Sequence, residues 1–216
     1  MPVLSQNVNE TLQKEGLIAI VRGIKENGVL KIAEHLLAGG VKMVEVAIKD
    51  PGDFKTVSAL IEAFGKEMMI GTGTITSSSL LHQSIDAGCH FLLAPNLDLR
   101  VLEEAKKLDV FMIPGAFTPT EILQAQQAGA RVIKFFPAEE QMAFFRNLRG
   151  PIGTRHLMPV GGIDLINIPA FQNAGARYFG VGSSLIPSNV EWNSKNLQAL
   201  KIKSEQYVAL IKSLLD

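Results

Sequence analysis

Two patterns of apolar residues alternate along most of the chain. Short apolar runs are typical of buried β-strands. Between them lie longer stretches, such as GVLKIAEHLLAGG and DLRVLEEAKKL, whose apolar residues recur at the three- and four-residue spacing of an amphipathic helix. The short runs predict eight strands, at residues 17–22, 42–47, 68–73, 91–95, 110–115, 132–137, 156–162 and 178–182.

A short sequence motif recurs where a predicted helix ends and the next strand begins. It ends in glycine and is followed by an apolar run, and a similar join occurs at Gly65. A glycine just past a helix can adopt the left-handed conformation that ends it. The glycines concerned are Gly39, Gly88, Gly129 and Gly175.

The spacing of these joins predicts a repeat of one strand and one helix. Eight such repeats predict a compact (β/α)₈ TIM barrel, a single domain over residues 1–216 with an N-terminal helix. An open, doubly wound parallel sheet is the alternative.

Composition narrows the class of protein. Lys plus Arg and Asp plus Glu both number 21, so the formal net charge is zero, which argues against a broad nucleic-acid surface. Cys89 is the only cysteine, which excludes disulfides within the chain and favours a reducing compartment. The N-terminus lacks a signal pattern and no apolar run is long enough for a membrane span. We therefore expect a soluble cytoplasmic protein without nucleic-acid or membrane partners.

One lysine lies inside an apolar run, in RVIKFFPAEE (131–140). Burying the Lys134 ammonium group is costly, and the usual response is a lowered pKa. A neutral amine is a nucleophile that can form a Schiff base with a ketone. The alternatives are a structural ion pair, or a side chain whose charged end reaches the barrel rim.

Glu45 interrupts a second apolar run, KMVEVA. Because the second and sixth strands are opposite in a ring of eight and can supply the same interior layer, Glu45 and Lys134 can meet. Glu45 would then be a proton shuttle, or only a counter-ion. The inward positions would be Met43, Glu45 and Ala47 on one strand, and Val132, Lys134 and Phe136 on the other.

Small residues follow the last two strands, in PVGGI (159–163) and VGSSL (181–185). In barrels of this type the corresponding loops often bind phosphate through backbone N–H groups, and Ser183 could add a hydroxyl. The segment GTGTI (71–75) could hold a carboxylate through Thr72 and Thr74. Simple turns are the alternative for all three segments.

The histidines do not suggest a metal site, because no pair has metal-ligand spacing. Nothing resembles a nucleophile elbow, a P-loop or a dinucleotide fingerprint. We therefore expect neither a metal nor a cofactor. The histidines are His35, His82, His90 and His156.

Six segments occur in the order and spacing of a known family: VEVAIKDP, IGTGTI, LLAPNL, MIPGAFTPTE, IKFFPAE and MPVGGI. From about Leu17 to Pro187 the chain resembles the 2-keto-3-deoxy-6-phosphogluconate (KDPG) and 4-hydroxy-2-oxoglutarate (KHG) aldolases. The resemblance implies a class I aldolase, usually a homotrimer, with Lys134 as the Schiff-base lysine and Glu45 as the acid/base. Further substrate contacts fall on Thr74 for the carboxylate, Phe136 near the imine, Pro95 on the pocket wall, Gly161, Gly162 and Ser183 at the phosphate, and Arg22, which part of the family has.

Three segments depart from the family pattern. Lys49 replaces the usual arginine four residues after the glutamate, which removes a bidentate carboxylate ligand. Val160 replaces the usual threonine before the Gly-Gly pair, and some relatives with valine there act on the galactonate epimer. The segment EQMAFFRNLRGP (140–151) is slightly short and lacks the common glycine pair. All three affect substrate contacts rather than the Lys–Glu pair.

The resemblance implies cleavage of a 2-keto-3-deoxy-6-phospho sugar acid to pyruvate and glyceraldehyde 3-phosphate, or of 4-hydroxy-2-oxoglutarate to pyruvate and glyoxylate. It places the protein in carbohydrate metabolism of the Entner–Doudoroff type. Two alternatives stay open on the same scaffold: a metal-independent phosphosugar isomerase or epimerase, and a non-catalytic phosphosugar-binding protein.

Overall fold

A computed structural model describes residues 5–215, in which strands and helices alternate. The strands are β1 (Leu17–Val21), β2 (Met43–Ala47), β3 (Met69–Gly73), β4 (Phe91–Leu93), β5 (Phe111–Ile113), β6 (Gly115–Ala116), β7 (Ile133–Phe135), β8 (Leu157–Pro159) and β9 (Phe179–Val181). The helices are α1 (Ser5–Glu15), α2 (Glu26–Ala38), α3 (Asp53–Phe64), α4 (Ser78–Asp86), α5 (Leu99–Lys107), α6 (Pro119–Gln127), α7 (Met142–Leu148), α8 (Ile168–Asn173) and α9 (Ser194–Leu215).

Every predicted strand region contains a strand, but the observed strands are shorter. The fifth region is divided at Pro114, which has no N–H group to donate to a neighbouring strand. The seventh ends at Pro159, because Gly161 and Gly162 leave the extended conformation with φ angles of +96° and +67°. Local backbone chemistry therefore sets the strand ends.

Glycine ends several helices as the sequence predicts. Gly88, Gly129 and Gly175 have φ angles of +86°, +90° and +105°, the left-handed conformation expected of them. The prediction for α2 was wrong by one residue. Gly39 has a φ of −86°, whereas the next residue, Gly40, takes the left-handed conformation with a φ of +88°.

All strand pairs are parallel and form two sheets. The larger sheet has the order β5-β4-β3-β2-β1-β9, and the smaller has the order β6-β7-β8. A hydrogen bond of 2.8 Å from the Lys134 N–H to the Pro114 carbonyl lies beside the junction of β5 and β6. On the other side, an isolated bridge joins Val160 to Gly180 in β9. The parallel α/β architecture predicted from the sequence is confirmed.

The buried apolar residues form two clusters on opposite faces of the strands. The outer cluster packs helices against strands and includes Ile133 and Phe135. The inner cluster includes Met43 and Val132, with Phe136 packed against it, as the predicted alternation requires. Helix α1, which confirms the predicted N-terminal helix, adds Val8 and Leu12 to the inner cluster. The remaining inner residues are Ile18, Ile20, Phe91, Leu93, Phe111, Ile113, Met158, Val160 and Tyr178.

None of the helices within residues 5–215 combines the length and apolarity needed to cross a bilayer.

Candidate active site

Lys134 is the middle residue of β7 and is only 2% exposed. Its chain neighbours belong to the outer cluster, whereas Val132 and Phe136 lie with the inner cluster, so the Lys134 side chain points inward. Its Nζ lies 4.7 Å from the centre of the Phe136 ring, close enough for a cation–π contact. The predicted burial of this lysine is confirmed.

Glu45 is the middle residue of β2 and is completely buried. Neither of its carboxylate oxygens has a hydrogen-bond partner among the residues that the structure describes. The carboxylate lies against Gly73 of the paired strand β3, where a Cβ atom would overlap Glu45 Oε1. Buried polar atoms without partners are rare and call for a functional or structural explanation.

Burial shifts the pKa values of both groups, and their mutual attraction opposes these shifts. Burial raises the pKa of the Glu45 carboxyl group, although the positive charges of Lys134 and Arg22 oppose this shift. Burial lowers the pKa of the Lys134 amine, against the opposing effect of Glu45, and Arg22 lowers it further. The shifts run in opposite directions, and each favours the neutral form of its group, which proton transfer and amine nucleophilicity both use.

A direct ion pair was the structural alternative for these residues. Among the ion pairs within residues 5–215, none joins Lys134 to Glu45 at 4.0 Å or less. The pair therefore interacts through space rather than through a bonded contact. That arrangement suits groups that act on a molecule between them.

A cavity of about 200 Å³ opens beside Phe136. Arg22 lines it at the end of β1 and is exposed, so its guanidinium group supplies positive charge at the entrance. Val160 lines it at the end of β8 and packs against Gly180. The cavity brings together six of the residues predicted for the site: Arg22, Phe136, Val160, Gly161, Gly162 and Ser183.

Two loops that line this cavity contain backbone N–H groups without a protein acceptor among residues 5–215. Within the described part of the chain, the N–H groups of Gly162, Ile163 and Ser183 donate to no protein acceptor. These three residues line the cavity. Consecutive free N–H groups in left-handed and turn conformations form concave anion-binding sites. The arrangement can therefore bind a phosphate or carboxylate group.

Five predicted residues lie outside the lining of this cavity: the buried pair Lys134 and Glu45, and three substrate-contact candidates. Thr74 directly follows Gly73 and has a φ of +68°, a strained conformation for a non-glycine residue that costs about 1–3 kcal/mol and is most frequent at functional sites. Pro95 is half-buried just after β4. Lys49 is exposed and lines a separate cleft with Lys25 and Asp50.

The sequence interpretation missed three residues that shape the site. Gly73 provides the space for the Glu45 carboxylate. The Ser184 hydroxyl donates to the Ile163 carbonyl and so ties the two loops together. Asn167 donates from Nδ2 to the Gly162 carbonyl at 2.6 Å. Only Ser184 had a visible signal, because it stands next to the predicted Ser183; the other two depend on contacts that the sequence alone does not reveal.

The described residues contain no group of three or more His, Cys, Asp or Glu side chains placed to hold a metal ion. All four histidines have other partners, including the Lys31 carbonyl for His35 and Gln126 for His156. His90 Nδ1 accepts from the Ile70 N–H at 3.0 Å, and His82 contacts Glu104 at 2.8 Å on the surface.

Comparison with known proteins finds similarity to aldolases in both sequence and fold. A relative from Rhizobium meliloti, named "Probable 2-dehydro-3-deoxy-6-phosphogalactonate aldolase", is 31% identical over 78% of this chain and 81% of its own. The 2-dehydro-3-deoxy-6-phosphogalactonate aldolase of Escherichia coli is 26% identical over 91% of this chain and 93% of its own. A solved structure described as "Native KDPGal structure" superimposes with a TM-score of 0.82 at 25% identity, over 92% of this chain and 95% of that one. The family model described as "KDPG and KHG aldolase" matches residues 8–202, and the chain belongs to that family.

Proposed function

We propose that this protein is a class I aldolase that cleaves a 2-keto-3-deoxy-6-phospho sugar acid into pyruvate and glyceraldehyde 3-phosphate. The observation that carries the proposal is the buried Lys134, whose pKa is lowered and whose Nζ lies 4.7 Å from the ring of Phe136, a residue that lines the cavity with the free N–H groups. An enzyme of this class is a lyase, and this one would need neither metal nor cofactor. Cleavage of 4-hydroxy-2-oxoglutarate would use the same pair without the phosphate contacts.

The proposal includes the closed architecture. The Lys134–Pro114 hydrogen bond and the Val160–Gly180 bridge support a (β/α)₈ barrel formed from both sheets, because they lie at the two edges where the sheets meet. We take residues 1–216 as one domain, of which residues 1–4 and 216 lie outside the described range. Homotrimer formation, a cytoplasmic location and a role in Entner–Doudoroff metabolism are proposed from the family resemblance.

The first half of the mechanism uses Lys134. Its neutral amine attacks the C2 carbonyl of the substrate, and loss of water gives an iminium ion. Glu45, through water, removes the proton of the C4 hydroxyl group. The C3–C4 bond then breaks, its electrons pass into the iminium to form an enamine, and the aldehyde leaves. The positive iminium serves as the electron sink for the cleavage.

The second half uses Glu45 as an acid. It returns a proton to C3 of the enamine, and hydrolysis of the resulting imine releases pyruvate and regenerates Lys134. A carboxyl group whose pKa is raised by burial holds its proton more readily than an exposed one, which suits it to act as an acid as well as a base.

Other residues would hold the two ends of the substrate. These roles are proposed from the family resemblance, and Lys49 lines a cleft separate from the main cavity. The proposed binding residues are Thr74 and Lys49 for the carboxylate end, Phe136 and Pro95 beside the imine, Val160 near C4, and Arg22, Gly161, Gly162 and Ser183 for the phosphate.

The isomerase or epimerase alternative has no support, since the family match is to aldolases. A panel assay tests the aldolase proposal. The purified protein is incubated with both epimeric 2-keto-3-deoxy-6-phospho acids, their unphosphorylated counterparts and 4-hydroxy-2-oxoglutarate, and pyruvate is measured. We expect release from at least one phosphorylated acid. Binding without pyruvate release, and without exchange of pyruvate methyl protons in deuterated water, would instead indicate a non-catalytic binding protein.

Val160 is expected to influence the choice between the epimers. Its side chain lines the cavity and presents only methyl groups, and an apolar wall discriminates weakly against a hydroxyl group. We expect kcat/KM for the gluconate and galactonate epimers to lie within about 10²-fold of one another. The two named relatives that act on the phosphogalactonate make that epimer the preferred candidate.

The matching variant is Val160→Thr, which keeps the shape of the side chain and adds a hydroxyl group. One additional hydrogen bond is worth about 1 kcal/mol, so the kcat/KM ratio should shift about fivefold toward the gluconate epimer. A wild-type preference for the gluconate epimer far beyond 10²-fold, unchanged by Val160→Thr, would show that residue 160 does not set the choice.

We expect Gly73→Ala to remove the acid/base function of Glu45 while leaving the imine chemistry of Lys134 unchanged. The new methyl group would occupy the space of the Glu45 carboxylate and displace it. Cleavage and pyruvate methyl-proton exchange should therefore fall as they do in a Glu45 variant, whereas borohydride trapping of the pyruvate imine should persist. Gly71→Ala, on the same face of β3, is the control, because its methyl group would strike Phe91 instead. Equal effects of the two variants on proton exchange would contradict the role of Gly73.

A further inference from the structure

Asn167 makes contacts that are unusual for its position. It directly precedes helix α8, where an asparagine side chain normally accepts a hydrogen bond from the first turn of the helix. No such capping bond is made. Instead the amide reaches back into the loop after β8, donating to the Gly162 carbonyl at 2.6 Å and accepting from the Asp164 N–H at 3.0 Å.

These two bonds fix consecutive peptide planes. In a trans peptide the carbonyl and the N–H group point in opposite directions. Because Asn167 holds the Gly162 carbonyl and does not itself line the cavity, the Ile163 N–H of the same peptide points away from Asn167, and Ile163 is a lining residue of the cavity. The next peptide is held on both sides, by Ser184 at the Ile163 carbonyl and by Asn167 at the Asp164 N–H.

A tether is needed here because the loop contains two glycines. Gly161 and Gly162 both have positive φ angles, and glycine reaches alternative backbone conformations at little cost. A rotation of the Gly162–Ile163 peptide would exchange the N–H for the carbonyl oxygen. The cavity would then present a negative dipole to an anion instead of a donor.

We propose that Asn167 is a positioning residue that holds the Ile163 N–H in the orientation that binds the phosphate ester of the substrate. The inference rests on the proposed aldolase function and adds the residue that makes its anion site selective. Asn167 acts only through the peptide it holds. The imine chemistry of Lys134 and Glu45 is therefore independent of it.

The test compares Asn167→Ala with wild type on three reactions: cleavage of a phosphorylated 2-keto-3-deoxy acid, cleavage of its unphosphorylated counterpart, and methyl-proton exchange of pyruvate. We expect KM for the phosphorylated acid and the inhibition constant of inorganic phosphate to rise about tenfold, the effect of one charge-assisted hydrogen bond. The other two reactions should stay within about twofold, because neither uses the Ile163 N–H.

Two further variants exclude a general effect on folding. Asn193→Ala removes an asparagine that directly precedes helix α9 and accepts from the Asn196 N–H at 3.0 Å; it should leave phosphate discrimination unchanged. Asn167→Asp keeps the side-chain shape and the acceptor for the Asp164 N–H but lacks the donor to Gly162, so it should raise KM for the phosphorylated acid by at least about tenfold. It provides the test if the alanine variant does not fold.

An equal fold-loss of activity in all three reactions of Asn167→Ala, or no change in any of them, would overturn the proposed role of Asn167. A wild-type protein that exchanges pyruvate protons but does not prefer the phosphorylated acid would overturn it as well, while leaving the imine chemistry intact. A wild-type protein inactive in all three reactions would refute the proposed function itself.

Discussion

Replacing Lys134 by arginine should lower turnover by several orders of magnitude. The guanidinium group keeps a positive charge in the same buried position, so the electrostatic partner of Glu45 is retained. Arginine stays protonated in proteins and cannot form an imine, so the covalent route is lost. The measurement is kcat for pyruvate release, with circular dichroism to establish that the variant folds.

Lys106→Arg is the control for this substitution, since Lys106 is an exposed residue of α5. It should behave as wild type. Near-normal turnover by Lys134→Arg would leave Lys134 as a structural cation and remove the basis of the imine mechanism.

Glu45→Gln should slow cleavage and pyruvate methyl-proton exchange by roughly 10²–10⁴-fold, the usual contribution of a general acid/base. Glutamine keeps the shape of the side chain but cannot shuttle a proton. Imine formation should survive, because the negative charge of Glu45 raises the pKa of Lys134 and its removal favours the neutral, nucleophilic amine. The two outcomes are measured separately, by deuterium exchange and by borohydride trapping.

Glu62→Gln, at an exposed position of α3, is the corresponding control and should not affect either reaction. If Glu45→Gln prevented imine formation while exchange per imine stayed normal, Glu45 would be only a counter-ion.

The periodic pattern of the sequence was sufficient for the order and type of the elements. Apolar runs separated by amphipathic stretches leave little choice other than parallel strands with helical connections. The ends of the strands were less predictable, because they depend on single residues such as Pro114 and Gly161, whose effect appears only in backbone geometry. The bridge between Val160 and Gly180 was also not predictable, because it pairs residues of different strands whose contact depends on the folded chain.

The residues of the candidate site also differ in how far the sequence alone reveals them. Lys134 and Glu45 were identifiable because a charged residue inside an apolar run is conspicuous. Gly73 and Asn167 were not, since a glycine in a strand and an asparagine before a helix are ordinary, and their importance comes from a neighbour across the fold. The separation of Lys49 from the main cavity likewise depends on loop geometry rather than on residue type.

Reduction with borohydride in the presence of pyruvate tests the central claim most directly. The wild-type protein should gain one pyruvate-derived adduct per chain, and peptide mass spectrometry should place it on Lys134. Cleavage activity should be lost in proportion to labelling. An adduct on a different lysine, or an active enzyme that remains unlabelled, would contradict the assignment of Lys134 as the Schiff-base residue.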